Sequence, residues 1–170
     1  ATFVPSTDLT LMSDGSAPAF SGLNAGDTAT DLRMRIGLRF GIAFFIPANA
    51  VIESAHLRLN QVSVTGNPYL PPGTEIVVDR ANFGVSLAAD DFGTPVLASN
   101  IGTFSSDATL GVRDLDVTAA VVADLAGLTS DFLLRFTATV NDASAAFTRF
   151  DDVENSLGSG VRPELIVVYH

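Results

Sequence analysis

Leu32-Arg33-Met34-Arg35-Ile36-Gly37-Leu38-Arg39-Phe40-Gly41-Ile42 alternates apolar and non-apolar residues over all eleven positions. As a strand it sends six large side chains to one face and three arginines to the other, because successive side chains of a strand point to opposite sides. A helix would scatter those arginines around its circumference. A period of two therefore predicts an antiparallel sheet with one buried and one wet face. The wet face is where function is expected.

The same pattern recurs outward from this segment. Pro47-Ala48-Asn49-Ala50 reads as a turn. Residues 51–60 then alternate again, with Val51, Ala55, Leu57 and Leu59 on one side and Ser54, His56, Arg58 and Asn60 on the other. Short strands are expected at 2–4, 8–12 and 75–79, and a half-buried one carries Phe132, Leu134, Phe136, Ala138 and Val140 opposite Arg135. Further strands are expected at 146–150 and 163–169. Residues 13–26 are rich in Gly, Ser, Ala and Pro and read as a loop. Asn67-Pro68-Tyr69-Leu70-Pro71-Pro72-Gly73 is another, since proline removes donors and fixes φ. Residues 80–107 break into short polar pieces and read as an irregular excursion. One short helix is expected at 118–126, where a hydroxyl N-cap, alanines and a closing glycine coincide. The whole is an all-β chain: a single domain over 1–170, forming a two-layer antiparallel β-sandwich, jelly-roll-like, with one short helix.

Composition narrows the partners. The 170 residues are 47% hydrophobic and 16% charged, with nine arginines, no lysine and nineteen carboxylates, for a net charge of −10. That balance disfavours nucleic acid and anionic membranes. No run approaches the ~18 apolar residues of a membrane-inserting span. The chain has no cysteine, which removes disulfides and thiol chemistry. It opens at Ala1 without a charged and apolar leader, which reads as a processed or excised chain and is compatible with secretion.

Five segments resemble DNRLRE-type domains, β-sandwich modules of secreted and cell-surface proteins in bacteria and archaea. Leu38-Arg39-Phe40 followed by Ile46-Pro47-Ala48-Asn49-Ala50-Val51-Ile52-Glu53-Ser54-Ala55-His56-Leu57-Arg58-Leu59 is similar to their "LRF … IP..A.V.SA.LRL" segment. Asp116-Val117-Thr118-Ala119-Ala120-Val121 resembles their "DVT..V" turn, and Arg162-Pro163-Glu164-Leu165-Ile166-Val167-Val168-Tyr169 their closing "RP.L.V.Y" strand. Residues 3–11 are similar to their opening "F.…D.T.", and Phe150-Asp151-Asp152-Val153-Glu154 stands where members carry "F.S.E". The tryptophans common in the middle of the domain are missing. The resemblance implies a secreted or cell-surface protein and, for some members, carbohydrate binding, including acidic polysaccharides; other members are parts of matrix or surface assemblies.

Three groups of candidate residues follow. Arg33, Arg35, Arg39, Arg58 and Arg135 occupy non-apolar strand positions and would form a ligand-binding patch, since guanidinium forks match carboxylates and sulfates. The alternative use is cross-strand pairing with acidic neighbours. Tyr69 is the loop aromatic that could support a sugar ring, the alternative being a side chain tucked over the end of the sandwich. Asp151, Asp152 and Glu154 are an oxygen-rich run that could hold a structural Ca²⁺, without EF-hand spacing. Catalysis is not expected: His56 sits in a strand pattern, His170 ends the chain, and no serine lies in a Gly-x-Ser-x-Gly elbow. The expected function is a non-catalytic extracellular module binding polysaccharide or a matrix partner. The alternative is a structural subunit of a filament, sheath or surface layer, a homopolymer whose partner is other copies of itself.

Overall fold

A computed structural model describes residues 1–170 except Ala19, Phe44 and Val140, so the last position of the alternation expected after Phe132 lies outside the described residues. The order of elements is β1 (Thr2–Phe3), β2 (Thr7–Met12), β3 (Leu23–Asp27), β4 (Arg33–Gly41), β5 (Ile52–Thr65) and β6 (Ile76–Ala81). A 3₁₀ turn at Ala89–Gly93 precedes β7 (Ala98–Ser105), β8 (Gly111–Asp116), α1 (Thr118–Asp124), β9 (Thr129–Phe136), β10 (Ala146–Phe150) and β11 (Glu164–Tyr169). The expected all-β sandwich is what the chain forms.

Two layers face each other. In one, the long β5 pairs with β8 on one edge and with β11 and then β10 on the other, and β1 extends the layer beyond β11. In the second, the order is β2-β4-β9-β6-β7. Every pair is antiparallel. The layers are joined at one corner by β3, which pairs with β10 on one side and, through Gly26 and Asp27, with Met34 and Arg33 of β4 on the other. Ile36, Leu38 and Phe40 of β4 meet Ala55, Leu57 and Leu59 of β5, Phe132 and Leu134 of β9, and Leu165 and Val167 of β11 in one core. Phe40 and Phe132 pack edge to face at its centre, their ring centroids 6.1 Å apart. The helix adds Val117, Ala120 and Val121 to this core.

Four local expectations need correction. Residues 13–26 are not loop throughout, because Leu23–Asp27 form a fully buried strand. Its Asn, Gly and Asp suit a corner where the backbone bends between sheets, and these are the residues that composition assigns to loops. Residues 80–107 contain a regular edge strand, β7, and β8 follows where no strand was expected. Thr118 is not the N-cap of the helix. Val117 holds that position without a side-chain bond, while the Thr118 hydroxyl accepts the amide of Ala55 at 2.9 Å.

The fourth correction concerns the outward side of β4. Residues 82–96 fold back over it as a roof, placing Phe83, Leu87, Phe92 and Val96 against Leu9, Leu11, Ala81 and Leu133. Gly37 makes this approach possible: a Cβ there would lie 2.8 Å from Leu87 Cδ1. Arg39, expected on the wet face, is only 6% exposed beneath this roof. Its Nε and Nη2 donate to Asp131 Oδ1 and Oδ2 at 2.9 and 2.8 Å, and Nη2 also donates to the carbonyl of Gly84 at 2.8 Å. The sheet is thus covered on both faces over half its length, and its arginine is sealed in with a carboxylate.

Candidate functional site

Below the roof the outer face of β4 and β9 stays open. Arg33, Arg35 and Arg135 line a groove of about 320 Å³ there, together with Thr137 and Thr139 just past the end of β9. Strand alternation places Arg33 and Arg35 on one face of β4, and the β4–β9 register sets Ile36 opposite Leu134, so Arg35 and Arg135 come alongside.

The electrostatics of the three differ. Arg135 is compensated, its Nε donating to Asp79 Oδ2 at 2.7 Å and its Nη2 to Asp79 Oδ1 at 3.2 Å. Arg35 has no carboxylate partner among the described residues. Its Nη1 donates to the carbonyl of Phe92 at 2.8 Å and its guanidinium stacks over the Phe92 ring, 4.2 Å from the centroid. Burial, and then the neighbouring charge of Arg135, pull its pKa downward against the opposing charge of Asp79, with Arg33 adding a smaller pull. Arg33 is exposed and makes no ion pair among the described residues. A half-buried cation between two others, in a chain of net charge −10, is a site short of negative charge. An anion seated there receives charge-assisted hydrogen bonds from groups already held in place.

The other sequence-expected residues lie elsewhere. Arg58 is on β5 in the opposite layer, where its Nε and His56 share the exposed Asp114. The five arginines therefore do not form one patch. Three stand together, one is sealed, and one is across the sandwich. Tyr69 is not an exposed platform. It lies across the end of the core with its ring edge-on to Phe136, and its hydroxyl is held among Gln61, Ser105 and Thr148. A tyrosine in a proline-rich loop gives no local signal of such a network, because its partners stand on three different strands, β5, β7 and β10.

Asp151 is fully buried and accepts Asn60 Nδ2 at 2.7 Å, while its Oδ1 has no hydrogen-bond partner. Asp152 accepts the amide of Ser156 at 2.7 Å, the Ser156 hydroxyl and the amide of Gly22 at 3.2 Å. Glu154 is exposed. Among the described residues no three His, Asp or Glu side chains converge as a metal set. Asp152 acts as a latch fastening the 151–156 turn to the start of β3.

Asp8 stands against the same turn and was missed in the sequence, where it is one carboxylate on a short strand. It is 6% exposed, its Oδ2 accepts the amide of Val153 at 2.8 Å, and its Oδ1 is unpartnered. Burial, with smaller contributions from Glu154 and Asp152, raises its pKa to about 6. An acid whose pKa is higher folded than unfolded binds its proton more tightly in the folded state. Stability therefore falls as pH rises from about 4 to about 6 and the penalty persists above that window, by an amount on the order of 2 kcal/mol. Chemical denaturation across pH 4 to 7 will show this decline, and Asp8→Asn will flatten it.

Comparison with protein-family models and with curated proteins gave no match. Among the described residues no helix is long and apolar enough to cross a membrane.

Proposed function

We propose that this chain is a non-catalytic extracellular or cell-surface module that binds an acidic polysaccharide, with the anionic group of one sugar seated in the Arg33–Arg35–Arg135 groove. The observation that carries the reading is the pair of arginines without carboxylate partners beside a third, on an otherwise acidic protein. Guanidinium groups on a rigid strand suit the planar carboxylate of a uronic acid or a sulfate ester. The DNRLRE-type resemblance supports the same class of ligand and the secreted setting in bacteria or archaea.

Titration with a short uronic-acid oligosaccharide tests it. Binding should weaken as salt is raised, because the groove is open to solvent. It should weaken about tenfold or more in Arg35→Ala, since a hydrogen bond to a charged group contributes roughly 1.5–3 kcal/mol. Arg58→Ala, on the other layer, should leave it unchanged. No binding to any acidic glycan removes the proposal. For the calcium expected at Asp151, Asp152 and Glu154, whose side chains do not converge in this structure, the test is the thermal midpoint: a rise in millimolar CaCl₂ reversed by EDTA supports a site there, and an unchanged midpoint removes it.

A second reading, a structural subunit that assembles with copies of itself, is favoured by a different face. Exposed Val4, Val112 and Val161 border a shallow depression of about 340 Å³ beside Arg58 and Arg162 on the β5 layer. Light scattering at rising concentration decides for it if mass grows, and against it if the protein stays monomeric.

A further inference from the structure

A second cavity adjoins the arginine groove. It occupies the corner where β9 and β3 end, has a volume of about 470 Å³, and shares Phe136, Ala138 and Thr139 with the groove. That volume falls among small-ligand sites. Pro68, Leu70, Pro71 and Phe136 give it an apolar side, and Asp27 and Asp142 give it carboxylates. Asp27 is 2% exposed, and its Oδ2 has no hydrogen-bond partner. Asp142 is exposed at the rim, its Oδ1 taking the amide of Ser144 at 2.9 Å.

The two cavities are opposite in charge and share a wall. We infer that the corner cavity is a second sugar subsite, taking an uncharged hydroxyl-bearing residue next to the acidic residue held by the arginines. This selects a heteropolysaccharide in which acidic and neutral units are neighbours. The inference rests on the proposed function of the groove and adds the identity of the neighbouring unit.

Its physical basis is complementary. The C–H face of a sugar ring packs on apolar side chains, and its hydroxyls donate to carboxylate oxygens, which only accept. A ligand hydroxyl that bonds the exposed rim carboxylate of Asp142 gains a charge-assisted hydrogen bond, while Asp27, buried in the wall, adds negative charge behind it. A second acidic sugar would instead set its carboxylate against Asp27 and Asp142, like charges in a partly buried space. The crowding of charge is already felt by Asp27, whose pKa is raised by burial first and then by Asp142 and Asp31.

The test compares two oligosaccharides with the same number of residues by calorimetric titration. One alternates a uronic acid with an N-acetylhexosamine, and the other is a homopolymer of the uronic acid. The native protein should prefer the alternating one about tenfold, the cost of one unsatisfied or repelled group. Asp142→Asn, which keeps the Oδ1 that caps Ser144, should shrink the preference to less than about threefold by strengthening homopolymer binding. Arg35→Ala should weaken both ligands alike. Arginine-dependent binding with no preference between the two overturns the subsite while leaving the groove intact, as does a preference that both Asp142→Asn and Asp27→Asn leave unchanged. Failure of both ligands to bind the native protein overturns the groove itself.

Discussion

Asp131→Ala will lose about 3–5 kcal/mol of folding stability in chemical denaturation, the cost of breaking a buried ion pair from one side. Three donors converge on that carboxylate: Arg39 Nε, Arg39 Nη2 and the amide of Phe83 at 3.0 Å. Removing it strands a guanidinium under a roof that holds no other carboxylate bonded to it, and releases Phe83 near the start of the roof at the same time. Residues 82–96 should then become the earliest site of proteolysis. The double variant Arg39→Met/Asp131→Asn, which removes both charges and keeps a side-chain oxygen for the amide of Phe83, should cost much less than Asp131→Ala, because replacing a buried pair is cheaper than orphaning one half of it. Arg58→Ala breaks an exposed pair with Asp114 and should leave the denaturation midpoint nearly unmoved.

Gly26→Ala should be nearly as damaging, by about 3 kcal/mol or more, for a reason of backbone geometry. Gly26 has φ of +134°, a conformation that side chains disfavour, and a Cβ there would stand 2.2 Å from the carbonyl oxygen of Ala146 and 2.6 Å from Cα of Phe147. Strain of this kind costs of order 1–3 kcal/mol, and the overlap with main-chain atoms adds a similar amount. The residue pairs with Phe147 of β10 and Met34 of β4, so it is the hinge by which one layer passes into the other. A shift there also deforms the corner cavity, whose wall Gly26 helps to build. Thermal denaturation of the variant measures the first effect, and a reduced preference for the alternating oligosaccharide the second.

What could be read from the chain follows from where its signals are local. Residues 32–42 and 51–60 alternate because one face of each strand meets the shared core, and a period of two needs no knowledge of the partner strand. Residues 146–150 and 163–169 carry a different local signal, the aromatic and β-branched side chains that favour strands. Alternation identifies two faces, however, and says nothing about what covers the second. Arg39 and Arg35 are equivalent in the pattern, yet one lies under the 82–96 roof against Asp131 and the other lies at its edge against Phe92. The distinction depends on a segment some forty residues on, whose apolar side chains are too widely spaced to show a period. Strand β3 was hidden because the residues that make a tight corner are those that make turns. Tyr69 takes the tucked position over the end of the sandwich rather than the exposed one, and its hydroxyl network was not legible because the partners come from β5, β7 and β10. Of the candidate site, the arginines on β4 and β9 were legible, whereas the adjoining cavity was not, since Asp27, Pro68 and Asp142 are brought together only by the fold.

The account stands on the groove between β4 and β9 being an anion site. A crystal structure of the protein with a short uronic-acid oligosaccharide tests that most directly. The expected result is a sugar carboxylate within hydrogen-bonding distance of the guanidinium groups of Arg33 or Arg35. An oligosaccharide bound instead beside Arg58 and Arg162, with the groove holding only solvent, would contradict it.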